Sequence, residues 1–239
     1  MVGSGEMVGA KLVDDERIAG VAFTGSTATA KHIQRSISVR DGAIIPLIAE
    51  TGGLNAMMVD SSALLEQVVD DVVLSAFGSA GQRCSALRVL FVQKEIAEDL
   101  IELLAGAMQT LNVGDPFDFS TDIGPVIDAE SKEQLLQHIV RMKREAKLIA
   151  TTPIPDDVQG HYVAPHAFEI ESITQLQHEV FGPILHIIRY ETSAIDDVIN
   201  SINATGYGLT FGVHSRIPTF YESLAPRIRA GNIYINRSM

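Results

Sequence analysis

A second cysteine is missing from this chain of 239 residues. No internal disulfide can form, and without a Cys/His cluster there is neither a zinc knuckle nor a predicted metal site. Basic residues are scarce: 18 Lys and Arg stand against 30 Asp and Glu, a formal charge of −12. That balance argues against a dedicated nucleic-acid binder, which would carry a basic face. No apolar run approaches the ~20 residues of a membrane span, and no signal peptide opens the chain. The expectation is a soluble protein in a reducing, cytoplasmic setting. Internal repeats and low-complexity tracts are absent too. What is present has globular composition, 46% hydrophobic and 20% charged, and is long enough for one large core or two smaller ones.

Helix and strand patterns alternate. Residues 8–14 read as helix, and 18–25 ("IAGVAFTG") as a buried strand ending in glycine. A helix follows from Ser26 to about Ser38, with Ser26 and Thr27 as candidate N-caps. Residues 43–50 read as an apolar strand stopping at Glu50. Strand, glycine turn and helix N-terminus in that order can make an anion site. "GSGEMVG" at 3–9 lacks G-x-G-x-x-G spacing and reads as a simple turn. Further strands are predicted at 56–60, 87–93, 184–190, 209–215 and 232–236, and further helices at 62–77, 95–109, 129–146, 195–203 and 218–229. Residues 150–165, rich in Pro and Asp, read as loop. The prediction is an α/β fold with a largely parallel sheet. Both ends read as cut: no strand precedes the first glycine turn, and the chain stops directly after "NIYIN".

Three places could carry chemistry. Glu50 lies where an apolar strand gives way to two glycines, and ligands collect at the carboxyl ends of strands in open α/β sheets; a solvent-facing turn residue is the equal alternative. Cys84, in "GSAGQRCSALR", follows a helix in a glycine-flanked turn. Free cysteine is commonly a small core filler, yet Arg83 beside it could favour the thiolate, the reactive form. None of the seven histidines has a protease-like or metal-ligand placement; His161 and His166 read as structural or exposed. "QHEVFGPILHI" at 177–187 reads, taken alone, as a Gly-Pro turn before a buried strand.

Together the motifs say more. "FTGST" (23–27), "ETGGLN" (50–55), "GQRCS" (81–85) and "HEVFGPIL" (178–185) stand in the order and approximate spacing of the aldehyde dehydrogenase superfamily, with 34 positions from Glu50 to Cys84. The chain resembles that family over nearly its whole length. "VAFTGSTATAKHIQR", "AETGGLNAMMVDSSALLEQVV" and "SAFGSAGQRCSALRVLFVQ" resemble one branch, the dehydrogenase module of bifunctional proline-utilisation proteins. That branch oxidises L-glutamate γ-semialdehyde, in equilibrium with Δ1-pyrroline-5-carboxylate, to glutamate.

The resemblance implies a role for each matching residue. Cys84 would attack the aldehyde carbon, its own N–H helping to hold the oxyanion, and Glu50 would activate water against the resulting thioester. NAD would take the hydride, which no side chain can accept. Gly25 and Ser26 would lie beside the dinucleotide, with Ser26 near the pyrophosphate. Glu179 would bind the nicotinamide ribose, Phe181 would pack by the nicotinamide, and Ser85 would bind the substrate carboxylate. Residues 1–50 would be the C-terminal part of a Rossmann-like cofactor domain, and 51–239 the catalytic domain.

Two departures qualify this. Ala30 replaces a glycine common at the end of the "GSTxxG" stretch. The family's long N-terminal portion and a Gly-rich segment after "NIYIN" have no counterpart, so the implied reading is a fragment of low or no activity alone. Association into a homo-oligomer is expected through exposed sheet edges. The competing readings are a non-catalytic structural or interaction module, a dehydrogenase for another aldehyde, and a thiol hydrolase pairing Cys84 with a histidine. The choice between NAD and NADP, and whether a parent protein carries proline dehydrogenase and DNA-binding regions, stay open.

Overall fold

A computed structural model describes residues 2–239. It divides into two compact units, residues 1–52 and 53–239, parted within the glycine pair of "ETGGLN".

In the first unit a helical turn at Gly5–Gly9 runs into α1 (Ala10–Asp14). Strands β1 (Val21–Gly25) and β2 (Leu47–Thr51) pair in parallel, and α2 (Thr27–Val39) connects them. Ser26 caps α2, its Oγ accepting the Thr29 N–H at 3.1 Å, and Ala30 and Ile33 form the buried face of the helix. Arg40 ties the far end back, donating to the carbonyls of Val13, Asp15 and Ile18.

Two expectations fail here. Residues 18–25 were to be a buried strand, but β1 is shorter, and Ala22, Thr24 and Gly25 are exposed. Two strands backed by one helix have only one face to hide. The strand expected over 43–50 begins only at Leu47, after Pro46, which has no N–H to offer a ladder.

The second unit is a seven-stranded sheet in the order β5-β6-β7-β4-β3-β8-β9. Its strands are β3 (Ala56–Val59), β4 (Val89–Gln93), β5 (Lys147–Thr151), β6 (His166–Glu169), β7 (Ile184–Tyr190), β8 (Thr210–His214) and β9 (Asn232–Ile235). Only the β5–β6 pair is antiparallel, so the sheet is largely parallel as expected. Strands β3, β4 and β8 are buried at every residue, as parallel strands covered on both faces should be.

The helices are α3 (Leu65–Phe77), α4 (Ala97–Gln109), α5 (Ala129–Glu145), α6 (Ile195–Ala204) and α7 (Pro218–Leu224). Helix α3 buries Val68, Val69, Val72 and Ala76, the 3.6-residue stripe legible in the sequence. Helix α5 keeps a solvated face laced with i,i+4 pairs such as Glu130–Gln134 and Arg141–Glu145. The loop expected over 150–165 holds from Thr152 to Pro165 and fails only at its first two residues, since β5 reaches Thr151.

Strand β4 is the middle strand of the seven, and β7 is its parallel neighbour, Val89 standing opposite His186. The Cys84 turn feeds the first of these and the Glu179 loop feeds the second. Both therefore converge at the amino ends of two adjacent strands.

Candidate active site

The first unit places Gly25 and Glu50 at the carboxyl ends of paired strands, with Glu50 in register with Thr24. Glu50 and Ser26 are exposed. A Cβ on Gly25 would lie 2.5 Å from the Phe23 ring.

In the second unit α3 ends at Phe77, and the chain then takes three consecutive left-handed residues: Ser79 (φ 56°), Ala80 (φ 50°) and Gly81 (φ 66°). Each non-glycine residue there costs about 1–2 kcal/mol. Strain of this kind persists only where the surroundings over-determine it, and it clusters at functional sites. The surroundings do so here. Gln82 donates to Pro125 O and accepts from the Ile127 N–H, while Arg83 Nη2 donates to the carbonyls of Leu74, Ser75 and Met239. Arg83 thus serves the last turn of α3, a task the sequence did not suggest.

Cys84 follows, exposed. It is no core filler, and no hydrogen bond joins it to a histidine among the described residues. Ser85 is half-buried; its carbonyl accepts from Thr210 Oγ1 at 3.4 Å.

Two residues without a role in the sequence reading hold this turn. Asn55, buried at the head of β3, donates from Nδ2 to Cys84 O (2.6 Å) and Ala86 O (2.9 Å), and accepts the Thr210 N–H. Asn55→Ala should cost about 2–4 kcal/mol, because it orphans three backbone groups at once, two of them in buried bonds; urea titration measures this.

Arg88, wholly buried just before β4, donates from Nη1 to Gly81 O (2.7 Å) and Gly182 O (3.2 Å). From Nη2 it donates to Arg83 O and Glu179 Oε1, both at 3.1 Å. Burial pulls its basicity down, the Glu179 carboxylate restores part of it, and Cys84 contributes in the same sense. A guanidinium stays charged regardless. The signal was available: an arginine inside "SALRVLFV" cannot be buried unpaired.

Glu179 keeps 13% side-chain exposure, and among the described residues its Oε2 has no protein partner. The Phe181 ring, 44% exposed, lies 5.3 Å from the Arg88 guanidinium carbon. A cavity of about 430 Å³ opens beside them, lined also by Gln134, His138, Arg141 and His178.

His138 of α5, in its wall, meets the fully buried His186 of β7 Nε2 to Nε2 at 2.9 Å. Their tautomers follow from the ends of the chain. Arg88 O can only accept, so His186 Nδ1 donates to it (3.1 Å) and His186 Nε2 must accept from His138. His138 Nδ1 is then left to accept from Arg141 Nη2 at 3.4 Å. Both rings are neutral. Burial, then Arg141, pushes His138 down to about 4; burial, then His138, pushes His186 down to about 3.

Among the described residues no cluster of His, Cys, Asp or Glu could hold a metal ion, and no helix is long and apolar enough to cross a membrane.

A sequence profile of the aldehyde dehydrogenase family matches residues 1–239. The chain belongs to that family. Among aldehyde dehydrogenase relatives, the bifunctional protein PutA of Klebsiella aerogenes is 50% identical across 99% of the chain. The 1-pyrroline-5-carboxylate dehydrogenase of Geobacillus kaustophilus is 34% identical across 98%. The chain spans 19% of the former's length and 46% of the latter's.

A crystal structure of a Bradyrhizobium japonicum PutA variant superposes with a TM-score of 0.96 at 54% identity, covering 99% of this chain and 24% of that one. The 1-pyrroline-5-carboxylate dehydrogenase from Thermus with bound NAD superposes at 0.91 and 33% identity, covering 99% and 46%. In the larger unit the loops of Cys84 and Glu179 enter β4 and β7 at their amino ends, whereas in the smaller unit Gly25 and Glu50 stand at the carboxyl ends of β1 and β2.

Proposed function

We propose that this chain carries the chemical centre of an NAD-dependent dehydrogenase that oxidises L-glutamate γ-semialdehyde, the open form of Δ1-pyrroline-5-carboxylate, to L-glutamate. The observation that carries the reading is the chain's one thiol, exposed on a strained turn that Arg88 binds to the Glu179 loop. Its similarity to PutA and to 1-pyrroline-5-carboxylate dehydrogenases supports the choice of substrate.

The residues present suit a dinucleotide. Ser26 caps the N-terminus of a 13-residue helix directly after Gly25, a place that favours a pyrophosphate. Glu179 offers a free carboxylate oxygen to ribose hydroxyls, and Phe181 an open ring to the nicotinamide. NAD, when bound, accepts the hydride.

The chain's own groups do the rest. The Cys84 thiolate adds to the aldehyde carbon, and its backbone N–H donates to the oxygen that becomes charged. Once hydride has left that carbon, the acyl group remains on Cys84 as a thioester. Glu50 takes a proton from water, the hydroxide adds to the acyl carbon, and the Cys84 thiolate leaves. Ser85, its hydroxyl without a protein partner among the described residues, binds the substrate's distant carboxylate without adding charge. The working protein is cytoplasmic and homo-oligomeric in this reading.

The test is NADH formation from pyrroline-5-carboxylate and NAD, by this chain and by a PutA in which it replaces the equivalent segment. Cys84→Ala is expected to abolish turnover. Glu50→Gln should permit about one NADH per site and then stall on the thioester, the burst expected of covalent catalysis. Steady turnover in Cys84→Ala would sink the reading.

A further inference from the structure

We infer that Arg88 is a positioning residue that makes the Cys84 turn and the Glu179 loop a single mechanical and electrostatic unit, so that a change at Glu179 is felt at the thiol. The inference rests on Cys84 and Glu179 being site residues, but its readout needs neither cofactor nor turnover.

One buried side chain makes four hydrogen bonds, two to each segment: Gly81 O and Arg83 O on the cysteine turn, Gly182 O and Glu179 Oε1 on the other. The segments also touch directly, with no room for a Cβ on Gly81 against Gly182 O. Neither loop could move without breaking half of the bonds to that guanidinium.

The arrangement is poorly explained as a device for stability. Arg88 Nε is buried without a hydrogen-bond partner, and a buried ion pair contributes less to stability than well-packed apolar groups of its size. What a planar fork of donors supplies, and an apolar residue cannot, is fixed relative placement of several acceptors. Charge travels the same route. The carboxylate of Glu179 offsets the buried Arg88 guanidinium, which also interacts with Cys84 through its charge, so neutralising Glu179 leaves more uncompensated positive charge beside the cysteine turn.

A double-mutant cycle on the whole chain tests this, with the rate of Cys84 alkylation by iodoacetamide at neutral pH as readout; the single cysteine makes the label specific. Glu179→Gln is expected to speed alkylation about 3-fold although Glu179 makes no bond to Cys84. Arg88→Lys should slow it about 10-fold, since an ammonium cannot reproduce the fork. In the double variant Glu179→Gln should add nothing to Arg88→Lys.

Circular dichroism establishes that each variant is folded. Effects that multiply in the double variant would mean the two loops are independent, and the inference would fall. Should Arg88→Lys not fold, Glu179→Gln decides alone: an alkylation rate indistinguishable from wild type would overturn the inference.

Discussion

Gly81→Ala is expected to destabilise the larger unit by more than about 3 kcal/mol and to dismantle the cysteine turn. Two costs add. At φ 66° any residue with a Cβ pays about 1–2 kcal/mol. That Cβ would also lie 2.2 Å from Gly182 O and 2.9 Å from Ala76 O. Both are backbone atoms that cannot rotate away, so overpacking adds about 1–3 kcal/mol or more. Urea unfolding measures the loss, and Cys84 alkylation reports whether the turn survives. Ser79→Gly, two residues earlier, should act in the opposite sense. Ser79 is exposed at φ 56°, so glycine relieves the left-handed penalty at some cost in unfolded-state entropy, a net gain of about 0.5 kcal/mol. A Gly81→Ala protein as stable as wild type would show that the turn is looser than its geometry requires.

Acid should loosen the same region through the histidine pair. In an unfolded chain both imidazoles bind a proton near pH 6.5; folded, His138 resists until about pH 4 and His186 until about pH 3. Between those limits the unfolded state binds more protons, so stability falls as pH falls, whereas above pH 6.5 both states are neutral and the full contribution is kept. From pH 7 to pH 5 the pair should remove roughly 3 kcal/mol, with a discount for the partial exposure of His138. His138→Gln isolates the effect. A glutamine amide can donate to His186 Nε2 and accept from Arg141, yet it does not titrate. The variant should lose about 1 kcal/mol less than wild type over that range; parallel pH–stability curves would remove the pair from the account.

Much of this fold is visible in the residues. Helix α3 declares itself by Val68, Val69, Val72 and Ala76, and β3, β4 and β7 by apolar runs too short to be helices. Strands β5 and β6 escape because "KLIAT" is an edge strand with a bulge between Leu148 and Ala150, and "HAFE" carries a glutamate at its end whose partner is Arg189 on β7. Periodicity has no access to that pairing.

At the site, Cys84 stands out only as the one cysteine, and only the family resemblance of the surrounding motifs shifts the expectation from filler to nucleophile. Arg88 and Asn55 are legible as misfits among apolar residues, but their partners lie up to 94 and 155 positions away. The strain before Cys84 leaves no mark, because Ser79 and Ala80 are ordinary residues held in left-handed geometry by their surroundings.

The distance between Arg88 and its partners Glu179 and Gly182, 91 and 94 residues, also sets a schedule. On the ribosome, Cys84 is made ~5–20 s before the loop that secures its turn, at ~5–20 residues per second. Until β7 emerges and pairs with β4, nothing from the Glu179 loop can reach the guanidinium or close against Gly81. The nascent chain then holds Ser79 and Ala80 only through nearer contacts such as those of Asn55, Gln82 and Arg83, with two of the four Arg88 bonds still unmade. The full set of bonds around the chain's one thiol is complete only after translation has passed well beyond it.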